Sequence, residues 1–400
     1  MDPAAFAKSP TGRLVKTPQD YWAFVPAPLP RSLDLDGSLV ALLSDADRAL
    51  GMLAGIGATL PNPYLLISPF LSREAVLSSR IEGTQASLSD LFLFEAAQAR
   101  ASGSGDVREV ANYVQAAHQG VARLAELPLG LRLVRELHAR LLEGVRGRDQ
   151  TPGEFRTAQN WIGQSPTYAL EDAIYVPPPV AEMAELLDDW ERFLHQPMTI
   201  PPLVRCALMH YQFEAIHPFR DGNGRLGRLL ITLYLCANGH LPQPLLYVSA
   251  FFEAHKSDYY DKLQAVRTSG DWHGWLAFFL SGVVEQARDG AERSRRIVSL
   301  REEYRKRLLR ATGAASAQRL LDILFTRPAI TIRGAQQMLH VNYLTASRAV
   351  TALTEAGILR EVTGGKRGRV FVAEHLVRVI EERISSGKED LATQVAAPTA

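Results

Sequence analysis

His217-Pro218-Phe219-Arg220-Asp221-Gly222-Asn223-Gly224-Arg225-Leu226-Gly227-Arg228 is the run on which the reading of this 400-residue chain turns. It lies between two apolar, helix-spaced patterns, Leu203 to Ala215 and Leu226 to Ala237, the second stopped by Asn238-Gly239. Gly222 and Gly224 let the backbone turn and come close to a ligand. The loop opens straight into a helix N-terminus, whose free amides and positive dipole end attract an anion. Arg225 and Arg228 fall three apart on one face of the first turn, so both guanidinium groups reach one polyphosphate. Asp221 suits a magnesium ion that bridges phosphates, because magnesium takes one or two carboxylates plus phosphate oxygens. His217, at the end of the preceding helix, is placed to take a proton from an attacking hydroxyl. Phe219 reads as the anchor that buries the loop.

Upstream, Ser78-Ser79-Arg80-Ile81-Glu82-Gly83 sets a hydroxyl and a carboxylate four apart, on one helix face, with Gly83 ready to end the helix. A carboxylate in a last turn opposes the helix dipole by roughly 0.3–1 kcal/mol, so Glu82 needs a partner from elsewhere. Taken alone it is also compatible with an exposed Glu beside a C-cap.

The rest of the chain reads as mainly helical. Residues 1 to about 35, with Tyr21, Trp22, Phe24, Pro26, Pro28 and Pro30, suit an extended arm laid over a surface. Helical spacing follows from Leu39 to about Ala101 with a break at Pro61 to Pro63. A Gly/Ser-rich loop comes before Asp106, and helical spacing resumes through Leu142. Thr151 to Pro179, with Trp161, Ile162, Tyr168, Ile174, Tyr175 and Val176 separated by turn residues, carries a hairpin signature. Helices return from Val180 to about Arg310, and a small-residue stretch, Ala311 to Ser316, precedes a last segment. That segment predicts helices over Ala317–Phe325, Ile332–Leu339 and Tyr343–Ala356. Two β-prone runs follow, Ile358–Val362 and Arg369–Val372, joined by a Gly-rich basic turn: the plan of a winged helix-turn-helix. Thr345, Ser347 and Arg348 on its recognition helix, with Lys366, Arg367 and Arg369 on its wing, are candidates for DNA contact; a protein-interaction or dimer-packing module has the same shape.

With 44 basic and 43 acidic side chains, the whole-chain charge of +1 points to neither nucleic acid nor membrane. Two cysteines, Cys206 and Cys236, sit in apolar runs, so a disulfide framework is not expected and a reducing compartment is. No apolar run reaches membrane-spanning length and no signal peptide is present, which places the protein in the cytoplasm without a membrane partner.

Nine fixed positions at about 5% usage each match by chance on the order of once in 10¹² starting points. The run matches the Fic family motif H-P-F-x-D-G-N-G-R-x-x-R throughout, and the arm, the Ser78–Gln85 segment, the hairpin, Leu246-Tyr247-Val248-Ser249 and Gly270-Asp271-Trp272 also resemble Fic proteins. The resemblance implies a Fic helical core with a β-hairpin flap and a C-terminal winged helix. The expected divisions are 1–100 for the arm and inhibitory helix, 101–290 for the core, 291–311 for a linker helix, 312–385 for the winged helix, and 386–400 for a disordered tail.

It also implies a protein adenylyltransferase, moving AMP from ATP to a Ser, Thr or Tyr hydroxyl of a protein target, self-modification included. His217 would be the base and Asp221 the magnesium ligand. Gly222, Asn223, Gly224, Arg225, Leu226, Gly227 and Arg228 would bind the nucleotide, and His255 the nucleoside, where many relatives carry Asn. Ser78, Glu82 and Gly83 would form the inhibitory motif, with Glu82 withholding Arg228 from the γ-phosphate. Ile162, Gly163, Tyr175 and Val176 would line up the target. Removal of AMP, another Fic-type phosphoryl transfer, and a nucleotide-sensing DNA-binding regulator stay open, as does a homodimer.

Overall fold

The computed structural model describes residues 1–60, 62–97, 105–163, 170–311, 315–365 and 368–382. Two units divide the chain, Met1–Ala287 and Arg288–Ala400.

In the first unit the Pro-rich arm is extended, as expected, but it pairs with itself. After a 3-10 turn at Pro3–Phe6, β1 (Gly12–Lys16) and β2 (Trp22–Pro26) run antiparallel with Leu14 opposite Phe24. Phe24 is buried against Phe6 and Tyr175, with ring centroids 5.4 and 6.2 Å away. The arm is held on the helices by Gln212, whose Nε2 donates to the Ala27 carbonyl at 3.0 Å.

Helix α1 (Gly37–Thr59) starts where the Asp36 carboxylate accepts the Leu39 amide at 2.9 Å. Helix α2 (Tyr64–Ile81) begins after Pro63; Pro61 lies outside the described residues. Helix α3 (Leu88–Ala96) opens on a reciprocal Ser87–Asp90 capping box. Next come α4 (Gly105–Arg123), α5 (Leu131–Leu141), α6 (Val180–His195), α7 (Pro202–Ile216), α8 (Asn223–Ala237), α9 (Ser249–Ala254), α10 (Lys256–Ser269) and α11 (Trp272–Ala311). The loop expected before Asp106 falls outside the description up to residue 104. Nearly every side chain of α7 and α8 is buried, the signature of central helices around which others pack. By contrast α5 buries one stripe, Leu133, Val134, Leu137, His138 and Leu141. The informative loop therefore joins the two most buried helices. Neither cysteine is in a disulfide, and burial pushes both thiols up.

Among the described residues, the hairpin expected over Thr151–Pro179 shows one isolated bridge, Ile162 with Tyr175. Tyr168 lies outside the described residues. A longer ladder does not form on the described side because the following residues pair elsewhere: the Val176 carbonyl accepts the Phe24 amide at 2.9 Å.

The second unit takes in the end of α11, the segment expected as a linker. Here the buried Arg293 pairs with Asp289 and donates to the carbonyls of Val379, Ile380 and Glu382. Then follow α12 (Ala315–Leu324), β3 (Ala329–Thr331), α13 (Ile332–Leu339), α14 (Tyr343–Glu355), β4 (Arg360–Glu361), β5 (Val370–Val372) and α15 (Glu374–Glu381), with the strands in the order β3-β5-β4. Asn342 caps α14 through the Thr345 amide, and Gly357 follows its end in the left-handed region. The short β3 and α15 carry too little pattern to be read beforehand. Lys366, Arg367 and the tail 386–400 lie outside the described residues. Among the described residues no helix is long and apolar enough to cross a membrane.

Candidate active site

His217 ends α7 in a left-handed conformation, φ 49°, and its carbonyl accepts Arg156 Nε at 3.0 Å and Asn160 Nδ2 at 3.2 Å. Both donors come from the stretch after α5, so a buried guanidinium and an amide hold the sharp exit from the helix. Arg156 also donates to the Pro178 carbonyl, and its amide to that of Pro218. Burial, with Arg156 and Arg267 nearby, lowers the His217 imidazole to about 3, against a partial offset from Glu82 and the Glu214 backbone. At neutral pH the ring is therefore uncharged and able to accept a proton.

Three contacts set the loop that follows. The His138 ring stacks on Phe219 with centroids 3.7 Å apart. Its Nδ1 accepts the Gly153 amide, so its Nε2 carries the proton donated to the Asp221 carbonyl at 2.9 Å. Burial lowers His138 to about 4, which keeps that tautomer neutral. The Asn223 side chain bonds Phe219 twice, Nδ2 to its carbonyl at 2.8 Å and Oδ1 from its amide at 2.9 Å.

Asn223 is 2% exposed with its side chain committed to the loop, so its backbone amide is the part open to a phosphate. Leu226 and Gly227 lie further into the helix. The Leu226 amide donates to Gly222 within the helix and its side chain is buried in the core, while Gly227 makes room for Glu214, whose Oε1 would lie 2.4 Å from an added Cβ. Gly222, in the left-handed region, starts α8 and leaves the amides of Asn223, Gly224 and Arg225 without acceptors inside the helix.

Asp221 Oδ1 accepts the Gly222 amide at 2.6 Å, and Arg225 Nη2 stands 3.4 Å from the same oxygen. Oδ2 faces Gly147, where a Cβ would come within 2.8 Å. One carboxylate oxygen on a part-exposed side chain thus remains for a cation. Among the described residues no cluster of three or more His, Cys, Asp or Glu could hold a metal ion.

Arg225 is fully buried, 3.0 Å from Glu109, a partner that the sequence did not reveal. Arg228, 1% exposed, donates Nε to Ser78 Oγ at 2.9 Å and Nη2 to the Ser78 carbonyl and to Glu82 Oε1, each at 2.8 Å. Burial, the largest single effect, would raise the Glu82 carboxyl, but the charge and hydrogen bond of Arg228, with Arg225 adding to them, hold the group below its usual range. Glu82 caps α2, and Gly83 turns left-handed at φ 95° after it. Glu82 Oε1 would meet a Cβ on Gly224 at 2.2 Å, so the glycine admits the carboxylate over the loop.

The flap residues part ways. Tyr175 is buried, its hydroxyl donating to the Ala215 carbonyl at 2.7 Å, and Val176 is buried too, so neither side chain faces a target. Ile162 packs against the cluster around Phe24, with Gly163 next to it. Trp161 and Ile174, 41% and 46% exposed, are the apolar side chains presented beside the bridge. His255 joins α9 to α10 with its ring 4.5 Å from Phe251 and Nδ1 3.8 Å from Asp258; these neighbours do not bring it to the loop.

A mainly helical fold that centres a glycine-bearing loop with uncapped helix amides between its two most buried helices, with a carboxylate paired to an arginine of the second helix, defines the class. Residues 40–122 match the Fic/DOC family N-terminal model and residues 128–235 the Fic/DOC family model. Over these residues the chain is a Fic/DOC, or Fido, family protein.

It is 32% identical over 150 residues to "Protein adenylyltransferase Fic" of Aedes aegypti, covering 37% of this chain and 26% of that one. It is 33% identical over 147 residues to "Protein adenylyltransferase fic-1" of Caenorhabditis briggsae, covering 36% and 25%. The chain thus spans about a quarter of the length of these curated relatives. In fold it resembles the crystal structure of a Fic family protein from Desulfovibrio desulfuricans G20, with a TM-score of 0.56, 19% identity, and coverage of 86% of this chain and 98% of that one.

Proposed function

We propose that this protein transfers AMP from ATP to a hydroxyl side chain of a protein and holds itself inactive through Glu82. The observation that carries the reading is the Arg228–Glu82 ion pair above three free amides of the α8 N-terminus. The two relatives are named protein adenylyltransferases, which supports the same reaction class.

In the reaction, neutral His217 takes the proton of a Ser, Thr or Tyr hydroxyl. The hydroxyl oxygen bonds to the α-phosphorus, the bond from that phosphorus to the bridging oxygen breaks, and pyrophosphate leaves. Asn223, Gly224 and Arg225 amides hold phosphate oxygens, and Arg225 and Arg228 balance the departing charge. Asp221 would hold magnesium through Oδ2; when bound, the ion supplies neutralisation of phosphate charge. Glu82 denies Arg228 to the γ-phosphate until it moves. Trp161 and Ile174 are the natural docking edge for a target segment.

The test is the mass of the purified protein after incubation with ATP and magnesium. A gain of one AMP, larger in Glu82→Gly, supports transfer with self-modification. No gain on this chain or on added protein targets shifts the reading to AMP removal, in which Glu82 would orient water.

A second reading concerns Arg288–Ala400 and rests on charge. The whole-chain +1 conceals an uneven split: this unit carries 20 Lys and Arg against 12 Asp and Glu, while residues 1–287 carry 24 against 31, so +8 faces −7. Strand register sets Thr331 opposite Val370, which brings exposed Arg369 and Arg333 to one end of the sheet; Arg348 is exposed on α14. Helix α14 is about 20 Å long, a fit for a DNA major groove. Full-length protein would then bind duplex DNA with an affinity that falls steeply with salt and falls further in Arg348→Ala. Absence of binding at low salt makes the unit a protein-interaction module.

A further inference from the structure

Helix α2 ends on four carbonyls that a helix cannot satisfy internally. Each has a partner: Ser78 receives Arg228, Ser79 the amides of Glu82 and Thr84, and Arg80 the amide of Gly83. The Ile81 carbonyl receives Lys256 Nζ at 2.6 Å, a side chain from the first turn of α10. That carbonyl belongs to the peptide leading into Glu82, so the ammonium group fixes the plane from which the carboxylate is aimed at Arg228. A cation at a helix C-terminus is also the favoured sign for the dipole.

Two turns earlier the same helix is fastened to the same segment. Buried Glu74 accepts Ser249 Oγ at 2.5 Å and the Ser249 amide at 3.2 Å, at the start of α9, with the Tyr113 hydroxyl at 3.3 Å. Between the two fastenings, Arg80 stands 3.7 Å from Glu253. Residues 249–256 therefore grip α2 at both ends of its last two turns, and they include His255, the expected nucleoside contact.

We propose that Lys256 is a positioning residue for the Glu82 brake and that segment 249–256 is the clamp through which the inhibitory helix is held or released. The proposal rests on the reading of Glu82 as inhibitory. Loosening the clamp lets α2 withdraw its last turn, freeing Arg228 without any change to Arg228 or Glu82.

The experiment combines Lys256→Ala and Lys256→Arg with wild type and with Glu82→Gly. It measures AMP transfer and amide hydrogen exchange over residues 79–84. Lys256→Ala raises transfer about three- to tenfold in the wild type, adds nothing in Glu82→Gly, and speeds exchange at Glu82–Thr84; Lys256→Arg restores both. Unchanged transfer and exchange in Lys256→Ala, alongside a rise in Glu82→Gly, overturn the clamp. Lower transfer in both backgrounds overturns it too, by making Lys256 a nucleotide-binding residue. If Glu82→Gly itself leaves the rate unchanged, the inhibitory reading has failed, and the exchange data alone decide whether Lys256 holds the helix end.

Discussion

Arg228 and Glu82 meet at 2.8 Å across 146 residues of sequence, with Ser78 gripping the same guanidinium from behind. The arginine is buried and the carboxylate about a third exposed, so Glu82 is the member that can leave. Its departure would strand a buried cation, and under the proposed reaction an incoming triphosphate would supply the replacement charge.

Glu82→Gly is accordingly expected to act twice. Transfer of AMP rises about tenfold or more, in the range of ordinary coupling energies. Without nucleotide the variant melts lower than wild type because Arg228 has lost its counter-charge. ATP then raises its melting temperature more than it raises that of the wild type. Equal nucleotide shifts in the two proteins would mean that the carboxylate and the phosphate do not compete.

His217→Ala is expected to lower transfer by about 10²–10⁴-fold while nucleotide still raises the melting temperature. Because burial holds the imidazole at about 3, it is already deprotonated across pH 5–8, and the wild-type rate shows no inflection from this ring in that window. A rate that climbs through pH 6–7 and loses that climb in the alanine variant would contradict the buried, neutral ring.

Asn223→Ala separates a structural from a ligand role. Both amide atoms bond the Phe219 backbone, so the substitution leaves a buried amide and carbonyl underserved and costs about 1–3 kcal/mol of stability. Nucleotide binding weakens as a consequence of loop disorder. A variant with unchanged melting temperature but lost binding would instead make the side chain a direct phosphate ligand.

The loop was legible because its requirements are contiguous: turn-permitting glycines, an anion-binding helix start and two arginines one turn apart. Glu82 was legible for the converse reason, a charge placed badly for its own helix. The groups that hold the loop were not. His138, Arg156 and Asn160 act on backbone carbonyls of residues 57 to 83 positions away, and a carbonyl leaves no mark in sequence. Glu109, across from Arg225, looks like any polar position on a helix until the tertiary pairing is seen. Aromatic and β-branched residues at Trp161-Ile162 and Ile174-Tyr175-Val176, with turn residues between, predicted a hairpin; among the described residues one bridge of it forms, and Tyr175 and Val176 turn inward to meet the N-terminal arm. The charge of the C-terminal unit vanished in a whole-chain sum.

Glu214 supplies a prediction of opposite sign to the usual carboxylate. It lies on α7 one turn before His217, 6% exposed, with Oε1 lacking a partner. Burial raises its carboxyl to about 7, against the partial offset of Arg228 and Arg267 and with Glu82 adding to the rise. The unfolded chain gives up this proton near pH 4.5, whereas the folded protein keeps it until about pH 7. Between those values the native state binds the extra proton, so stability falls as pH rises and levels off above the folded value. A shift of this size corresponds to about 3 kcal/mol. Glu214→Gln removes the titration and keeps the shape. It is expected to melt above wild type at pH 8, with most of the gain gone at pH 5, as measured by thermal denaturation at both pH values. An equal difference at the two pH values would mean that the gain comes from packing or hydrogen bonding, and that Glu214 is ionised in the folded protein throughout.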